Sequence, residues 1–190
     1  MNGVMTRVLF IRHAETEMAG RFCGHSDPDL NAQGQAQLAG LAHVLSTETI
    51  GRVYCSDLRR AHSTAQAIAA DRNVSLTLRP ALREIHFGNW EGLTWGQIEQ
   101  MDPEYARRWV DGYPHVSAPA GESFPEFEAR VLEEVRHLID RDEESIAVVT
   151  HAGVLRVVLR RLHGCSEQEA WQRTQSYCCV VRYEAKGENQ

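Results

Sequence analysis

Two apolar runs in the sequence each stop at a histidine, and one of these histidines follows an arginine. Residues 8–11 end at Arg12-His13, and residues 146–150 end at His151. Apolar runs of this length are typical of strands that are buried on both faces. A guanidinium can bind an anion through two donors, and an imidazole can act as a nucleophile. The two strand ends therefore indicate an anion site that contains a nucleophile.

Strands and helices are predicted to alternate along the rest of the chain. Further strands are predicted over 51–55, 74–78 and 177–183, and helices are predicted to start near 31, 56, 125 and 153, with a short one over 167–173. This alternation predicts an α/β three-layer sandwich, in which a mostly parallel central sheet is flanked by helices. Parallel strands present their C-terminal ends at one edge, so His13 and His151 can meet there.

Residues 86–123 have a different composition from the rest of the chain. They are rich in glycine, proline and tryptophan, and their only helical patterns are short, at 95–101 and 103–110. The segment lacks an apolar run of its own, and 190 residues suffice for one well-buried domain. We interpret residues 1–190 as a single domain into which residues 86–123 are inserted as a small cap.

Composition and charge exclude several classes of protein. The chain is 43% hydrophobic and carries a formal net charge of −6, which disfavours a nucleic-acid partner. The first seven residues lack the apolar core of a signal peptide, and no run approaches the length of a membrane span. Five cysteines form no CxxC pair. These features predict a cytoplasmic protein with reduced thiols and no membrane partner, and they leave the oligomeric state open.

Two more segments are predicted to lie at the same edge of the sheet. Arg59 and Arg60 fall in the first turn of the helix that follows Ser56-Asp57. A cation there is unfavourable toward the helix dipole, which suggests that it serves a bound anion. Glu84 follows farther along, next to a glycine-rich loop.

Four segments together resemble the motifs of the histidine phosphatase (phosphoglycerate mutase-like) superfamily. They are R-H-A-E-T at 12–16, S-D-L-R-R-A at 56–61, L-R-E at 82–84 and T-H-A-G-V-L-R at 150–156. Their order and spacing match the superfamily over nearly the whole chain. The resemblance implies an α/β sandwich that acts through a phosphohistidine intermediate, with no metal and no other cofactor.

The resemblance also assigns a role to each motif residue. His13 becomes the nucleophile, Glu84 the proton donor to the leaving oxygen, and His151 a second imidazole that donates to the phosphoryl group. Arg12 and Arg60 become the phosphate-binding residues, and Arg59 is expected at the surface. These roles suit phosphoryl transfer, whose transition state spreads negative charge over three equatorial oxygens.

The chain departs from the superfamily pattern at two places. Ala14 replaces the glycine that usually follows the histidine, and a methyl group is tolerable there only if φ is not positive. Residues 17–20 lack an asparagine that commonly contacts the phosphate, and the loop at 21–25 is a candidate to replace it.

Within the superfamily the chain most resembles the α-ribazole phosphatases, which implies a small phosphorylated metabolite as the substrate. This likeness rests on Gly24-His25, residues 83–92, Trp109 and residues 119–123. Aromatic side chains crowd the cap and could stack on a flat heterocycle such as a benzimidazole nucleotide. The residues expected at the pocket rim are Arg21, Gly24, His25, His86 and Trp90.

Three alternatives stay open at this point. A phosphoglycerate mutase is disfavoured because such relatives have a longer insert and a closing tail, whereas residues 185–190 are short and polar. A catalytically silent module that binds phosphorylated ligands would be expected to lose His13 or Glu84, and both are present. A metal hydrolase is disfavoured because the acidic runs at 27–29 and 142–144 lack histidines at ligand spacing.

Overall fold

The structure is a computed structural model that describes residues 6–140 and 144–185. Within them a five-stranded sheet has the order β3-β2-β4-β1-β5. The strands are β1 (Thr6–Arg12), β2 (Arg52–Cys55), β3 (Leu76–Leu78), β4 (Ser145–Thr150) and β5 (Val180–Ala185). Neighbouring strands are parallel except β5, which is antiparallel to β1. The prediction of a mostly parallel sheet is confirmed.

Helices cover both faces of the sheet, which confirms the predicted three layers. The helices are α1 (Ala32–Val44), α2 (Arg59–Arg72), α3 (Trp95–Met101), α4 (Pro103–Gly112), α5 (Phe124–Ile139), α6 (Ala152–Leu162) and α7 (Glu167–Arg173). Successive side chains of a strand point to opposite faces. Leu9 and Ile11 of β1 therefore pack with α1 and α2, whereas Val8 and Phe10 pack with α5 and α6.

The strands β1 and β4 are neighbours at the centre of the sheet. Arg12 pairs with Thr150 in the parallel register, and the His13 backbone N–H donates to the Thr150 carbonyl over 2.9 Å. All six residues of β4 are buried. The expectation that the two histidine-terminated strands end together at one edge is confirmed.

The predicted cap, residues 86–123, contains α3, α4 and a 3₁₀ turn at Gly88–Trp90. Thr94 caps α3 in a reciprocal pair with Gln97, which satisfies backbone donors at the first turn. The segment encloses its own small buried cluster, to which the loop at 20–30 adds Phe22. The buried members of this cluster are Trp90, Ile98, Ala106 and Ala118.

Local details differ from the sequence prediction at two element boundaries. Ser56 and Asp57 do not cap α2, which begins after Leu58, and the Arg59 backbone N–H is instead met by the Asp27 carboxylate. β5 begins at residue 180 rather than 177 because Cys178 has a φ of +56°, which interrupts an extended backbone.

Some predictions fall partly or wholly beyond the described residues. Residues 1–5, the acidic residues 142–143 and the tail at 186–190 lie outside them. No helix in the described part of the chain is long and apolar enough to cross a bilayer.

Candidate active site

The two histidines that end β1 and β4 lie against each other. The ring centroids of His13 and His151 are 5.1 Å apart in an edge-to-face arrangement, and both side chains are buried. His13 directly follows the last residue of β1, and His151 is the N-cap residue of α6. Parallel pairing of the two strands therefore brings together two imidazoles that are 138 positions apart (151 − 13) in the sequence.

His13 is held as a neutral imidazole with one nitrogen available. Its Nδ1 lies 2.7 Å from the Ala14 carbonyl oxygen. Because a carbonyl can only accept, Nδ1 carries the proton, and Nε2 keeps a lone pair. Burial, together with the positive charges of Arg60 and Arg12, holds the pKa of His13 well below its usual value of 6.5. An unprotonated ring is the state that a nucleophile requires.

Ala14 fits the position that glycine usually occupies in the superfamily. It is not among the described residues with positive φ, so its methyl group causes no backbone strain. Its backbone N–H donates to the Thr64 hydroxyl over 3.1 Å, and that hydroxyl donates to the Arg60 carbonyl over 2.8 Å. This chain of hydrogen bonds fixes the start of α2 against the loop that carries His13.

Arg12 is oriented by the segment that precedes β5. Its Nη1 donates to the carbonyls of Thr174, over 2.8 Å, and of Gln175. The guanidinium carbon lies 4.0 Å from the ring centroid of Tyr177, an arrangement that favours a cation–π interaction. The Tyr177 ring is also 5.7 Å from the His13 ring. Arg12 is thus fixed on one side, and its Nε has no partner among the described residues.

Arg60 is almost completely buried and is anchored by the loop at 20–30. Its terminal nitrogens donate to the carbonyls of Ser26 (2.6 Å), Gly24 (2.7 Å) and Cys23 (3.2 Å). Its Nε is buried without a partner among the described residues. Arg59 points outward and pairs with Asp29 at 2.6 Å, which agrees with the expectation that it is a surface residue.

Buried polar atoms without partners concentrate at this edge of the sheet. In the part of the chain that the structure describes, six such side-chain atoms occur, and four belong to Arg12, Arg60 and His151. A buried donor without an acceptor costs about 1–3 kcal/mol. We call Arg12, His13, Arg60 and His151 the basic cradle. Two permanent cations and several unused nitrogens make it suited to a multivalent anion such as a phosphoryl group.

Burial also controls the protonation of the second imidazole. Desolvation, followed by the charges of Arg60, His13 and Arg12, holds the pKa of His151 well below its usual value. A neutral imidazole carries one N–H and one lone pair, so His151 can donate a single hydrogen bond to an anion. Neither of its ring nitrogens has a protein partner among the described residues.

Glu84 lies beside the cradle with both carboxylate oxygens oriented by backbone donors. Oε2 accepts from Gly153 N–H over 2.9 Å, and Oε1 accepts from Ile85 N–H over 3.0 Å. A Cβ at Gly153 would lie 2.1 Å from Glu84 Oε1, so a larger residue at this position of α6 would displace the Glu84 carboxylate from its present place. The Glu84 side chain is buried, and a carboxyl group in such a setting is a candidate for proton exchange with a bound group.

The segment that carries Glu84 is fixed by arginine side chains. Arg130 of α5 donates to the carbonyls of Arg83 (2.9 Å) and Glu84 (3.0 Å) and forms a two-point ion pair with Glu122. Arg83 forms a second two-point pair with Asp57, at 2.7 and 2.5 Å. These contacts tie the start of α2, the Glu84 segment and α5 into one frame.

Glu91 organises the loop that anchors Arg60. Its carboxylate accepts from the backbone N–H groups of Gly24 (3.1 Å), His25 (2.9 Å) and Ser26 (2.9 Å), and from the Ser26 hydroxyl (2.6 Å). Burial would raise the pKa of Glu91, but hydrogen bonds from Ser26, Phe87 and His25 hold it below its usual value. Glu91 therefore fixes the loop whose backbone carbonyls accept hydrogen bonds from Arg60.

The five residues expected at the pocket rim have different surroundings. Arg21 is exposed and donates to the Gly92 carbonyl over 2.9 Å, and Gly24 is packed where a Cβ would lie 2.2 Å from the Ile85 carbonyl. The rings of His25 and His86 are tilted against each other with their centroids 4.8 Å apart, and burial lowers the pKa of His25. Trp90 lies in the cap cluster rather than along the cavity described next.

A cavity of about 580 Å³ opens next to Glu84. We call it the aromatic cavity because most of the residues around it are aromatic or aliphatic, and Glu84 and Arg156 are the charged ones. Its walls come from the loop at 20–30, the cap, α5, α6 and α7. The lining residues are Phe22, Glu84, Ile85, Phe87, Trp95, Trp109, Val110, Tyr113, Phe127, Gly153, Arg156 and Trp171. Its volume lies within the range of small-molecule sites.

Three residues with evident positions in the site were not among the candidates from the sequence. Tyr177 packs on Arg12 where a strand was expected, and Glu91 is a carboxylate in a loop without a distinctive spacing. Arg156 ends the fourth motif, and its position one helical turn after Gly153 is the signal that could have identified it.

Comparisons with known proteins agree with this architecture. The profile of the histidine phosphatase superfamily (branch 1) matches residues 8–190. The chain is 33% identical over 168 residues to the adenosylcobalamin/alpha-ribazole phosphatase of Escherichia coli K12, covering 87% of this chain and 83% of that one. It is 34% identical over 172 residues to phosphoserine phosphatase 1 of Hydrogenobacter thermophilus, covering 88% and 81%.

Solved structures give the same result. The alpha-ribazole phosphatase of Shigella flexneri superposes with a TM-score of 0.83 at 31% identity, covering 93% of this chain and 89% of that one. The residues that the superfamily profile matches, 8–190, include the basic cradle, Glu84 and the residues that line the aromatic cavity. By sequence profile, by identity to characterised phosphatases and by fold, this chain belongs to the histidine phosphatase superfamily, branch 1.

Proposed function

We propose that the protein is a metal-independent phosphomonoesterase that acts through a phosphohistidine at His13. The observation that carries the proposal is the concentration of unpartnered, buried nitrogens in the basic cradle around a neutral His13. A phosphate monoester supplies both the negative charge and the several acceptor oxygens that these nitrogens lack.

In the first step, Nε2 of His13 attacks phosphorus while the bond from phosphorus to the ester oxygen breaks. On this proposal Arg12, Arg60 and the N–H of His151 donate to the equatorial oxygens, which would satisfy their unpartnered nitrogens. Donors that are fixed before the reaction stabilise the developing charge without reorganisation. Glu84, protonated in this step, gives its proton to the departing oxygen, which leaves as an alcohol.

In the second step, water replaces the alcohol and restores the enzyme. The Glu84 carboxylate takes a proton from the water while the water oxygen attacks phosphorus. The bond from phosphorus to Nε2 breaks, inorganic phosphate is released, and His13 returns to its neutral form with Nδ1–H still bound to the Ala14 carbonyl. Every step uses groups of the chain itself, and none requires a metal ion.

As the substrate we propose a small phosphorylated metabolite whose leaving group occupies the aromatic cavity, with α-ribazole 5′-phosphate as the first candidate. The aromatic lining and the names of the relatives from Escherichia coli and Shigella flexneri support this choice. On this proposal the protein acts in the cytoplasm, in cobalamin biosynthesis.

Rapid acid or alkaline quenching of a reaction with ³²P-labelled substrate tests the mechanism. We expect the label on His13, stable in alkali and labile in acid, and we expect His13→Ala to lose both the label and turnover, by at least about 10³-fold. Turnover of a generic aryl phosphate should continue in excess chelator. His137→Ala serves as a control because His137 lies in α5, away from the cradle.

Each alternative predicts a different outcome. Label on His151 would reverse the roles of the two imidazoles, and loss of turnover in chelator would contradict the metal-free mechanism. Transfer of the phosphoryl group back to a phosphoglycerate instead of to water would identify a mutase. Binding of phosphate esters without any turnover would identify a silent binding module.

A further inference from the structure

Arg156 is the only cation among the residues that line the aromatic cavity. It lies in α6, three residues after Gly153, whose N–H binds the Glu84 carboxylate. Three residues advance the helix by about 5 Å along its axis. The guanidinium therefore lies about one helical turn from the group that exchanges a proton with the ester oxygen.

Contacts from α7 and the residue that follows it hold the Arg156 side chain. Its Nε donates to the Thr174 hydroxyl over 3.1 Å, and its guanidinium carbon lies 3.8 Å from the Trp171 ring centroid. The Thr174 hydroxyl in turn donates to the Ala170 carbonyl over 2.9 Å. One edge and one face of the guanidinium are thus fixed, and its two terminal nitrogens have no acceptor among the described residues.

The two arginines that fix the Glu84 segment have carboxylate partners, whereas Arg12 and Arg60 of the basic cradle donate to backbone carbonyls. Arg83 pairs with Asp57 and Arg130 pairs with Glu122, each through two hydrogen bonds. Arg156 forms no such pair within residues 6–140 and 144–185. Glu84 lies in the same cavity, but its oxygens accept from backbone N–H groups.

An oriented guanidinium with two free donors in an apolar cavity is a binding site for an anion. Burial lowers the pKa of Arg156, and the negative charge of Glu84 in the same cavity offsets this effect only in part. An anionic group that enters the cavity would restore the hydrogen bonds and the charge balance together.

We propose that Arg156 forms a second anion subsite, which binds a carboxylate or a second phosphate on the leaving group of the substrate. This inference rests on the proposed phosphatase reaction. Substrates of this class combine a flat apolar body, packed among the aromatic side chains, with an anionic group several bonds from the ester oxygen. A neutral flat leaving group, such as that of α-ribazole 5′-phosphate, fits the apolar part of the cavity but gains nothing from Arg156, so the subsite favours anionic leaving groups over that first candidate.

Two aryl phosphates that differ in one charge test the subsite. The substrates are 4-methylphenyl phosphate and 4-(phosphonooxy)phenylacetate, whose phenols have similar acidity and differ in a carboxylate. We expect kcat/KM of the wild-type protein to be on the order of tenfold higher for 4-(phosphonooxy)phenylacetate than for 4-methylphenyl phosphate. Hydroquinone bisphosphate tests the second phosphate in the same way.

Arg156→Gln should reduce this preference to about one, because glutamine keeps the packing but carries no charge. The ratio of kcat/KM between the two substrates is taken within each variant, so an effect of the substitution on the chemical step cancels. Arg161→Gln is the matched control, since Arg161 lies in the same helix, half exposed, and pairs with Glu128 outside the cavity. It should retain the wild-type ratio.

The outcomes separate the two proposals. If the wild-type protein hydrolyses neither substrate, the proposed phosphatase reaction fails. If its kcat/KM for the 4-methylphenyl ester equals that for the two substrates with an additional anionic group, the phosphatase reaction stands and the subsite is disproved. This comparison needs only the wild-type protein. A preference that survives Arg156→Gln also disproves the subsite, since another group must then bind the anion.

Discussion

The basic cradle and the aromatic cavity meet at Glu84, yet they are built in different ways. The cradle is formed by residues at strand ends and a helix start, and hydrogen bonds to backbone carbonyls fix its arginines. The cavity is formed by side chains from loops, the cap and three further helices, and it contains few polar contacts. One region holds charge in a fixed geometry, and the other provides shape and apolar surface.

This difference separates the reaction from the choice of substrate. Phosphoryl transfer needs fixed donors at positions set by phosphorus and its oxygens, which do not change from one ester to another. The leaving group does change, and the walls that contact it come from segments that vary without altering the sheet. Changes in the cradle should therefore affect all substrates alike, whereas changes in the cavity should affect some more than others.

Among the changes that compare the cradle with the cavity, the largest effect is expected at two adjacent arginines, one buried (Arg60) and one exposed (Arg59). Arg60→Gln removes a fixed donor of the cradle and should lower kcat/KM by about 10²–10³-fold for every phosphate ester. Arg59→Gln, which removes only an exposed pair with Asp29, should change kcat/KM less than about twofold. Steady-state kinetics with an aryl and an alkyl phosphate measure both. If Arg60→Gln lowered kcat/KM by different factors for the two esters, the claim that changes in the cradle affect all substrates alike would be wrong.

The cradle should also make stability depend on pH. His13 and His151 have pKa values well below 6.5 in the folded protein because both are buried, whereas in the unfolded chain they titrate near 6.5. Below pH 6.5 the unfolded chain binds more protons, so the free energy of unfolding falls as the pH falls. The slope is at most about 1.4 kcal/mol per pH unit for each histidine.

Urea denaturation at pH 7 and at pH 5.5 measures this dependence. His13→Gln and His151→Gln should each reduce the loss of stability between the two pH values. Above pH 7 the same variants should show no change in pH dependence, because both histidines are then neutral in either state. A wild-type free energy of unfolding that rises toward pH 5.5 would contradict neutral histidines in the folded protein.

The smallest effect is expected in the cavity. Trp109→Leu keeps an apolar side chain but removes an aromatic plane from the lining. It should lower kcat/KM about three- to tenfold for phosphates with flat leaving groups and leave glycerol phosphate nearly unchanged. Leu162→Ala in α6, outside the cavity, controls for general loosening of the fold. An equal loss for both substrates would show that Trp109 acts through the fold of the cap.

The two regions also differ in how far the sequence predicts them. The cradle could be predicted because Arg12, His13 and His151 follow apolar runs whose parallel pairing brings their ends together. The helix start indicated both Arg59 and Arg60, and the resemblance to the superfamily distinguished Arg60 from its neighbour. Apolar periodicity and the residues at strand ends can be read from short stretches of sequence. Parallel pairing of the strands then suffices to bring those residues together.

Residues that act through loop geometry could not be predicted in this way. The pattern at 177–183 indicated a strand, but positive φ at Cys178 delays β5 and leaves Tyr177 free to pack on Arg12. Asp57 was expected to cap α2, but it binds Arg83 because a turn brings the two together. Trp90 was expected at the pocket rim and lies in the cap cluster, since an aromatic type does not reveal which way it points.

The order of strands in the sheet has a consequence for how the protein acquires activity during synthesis. Among the described residues, the pairing partners of β1 are β4 and β5, which begin at residues 145 and 180. A ribosome releases β1 long before either partner exists, so this strand stays unpaired until they are synthesised. Contacts between such distant segments form slowly. The catalytic centre is therefore among the last parts of the nascent chain to assemble, and partial chains that lack β4 cannot bring the two imidazoles together.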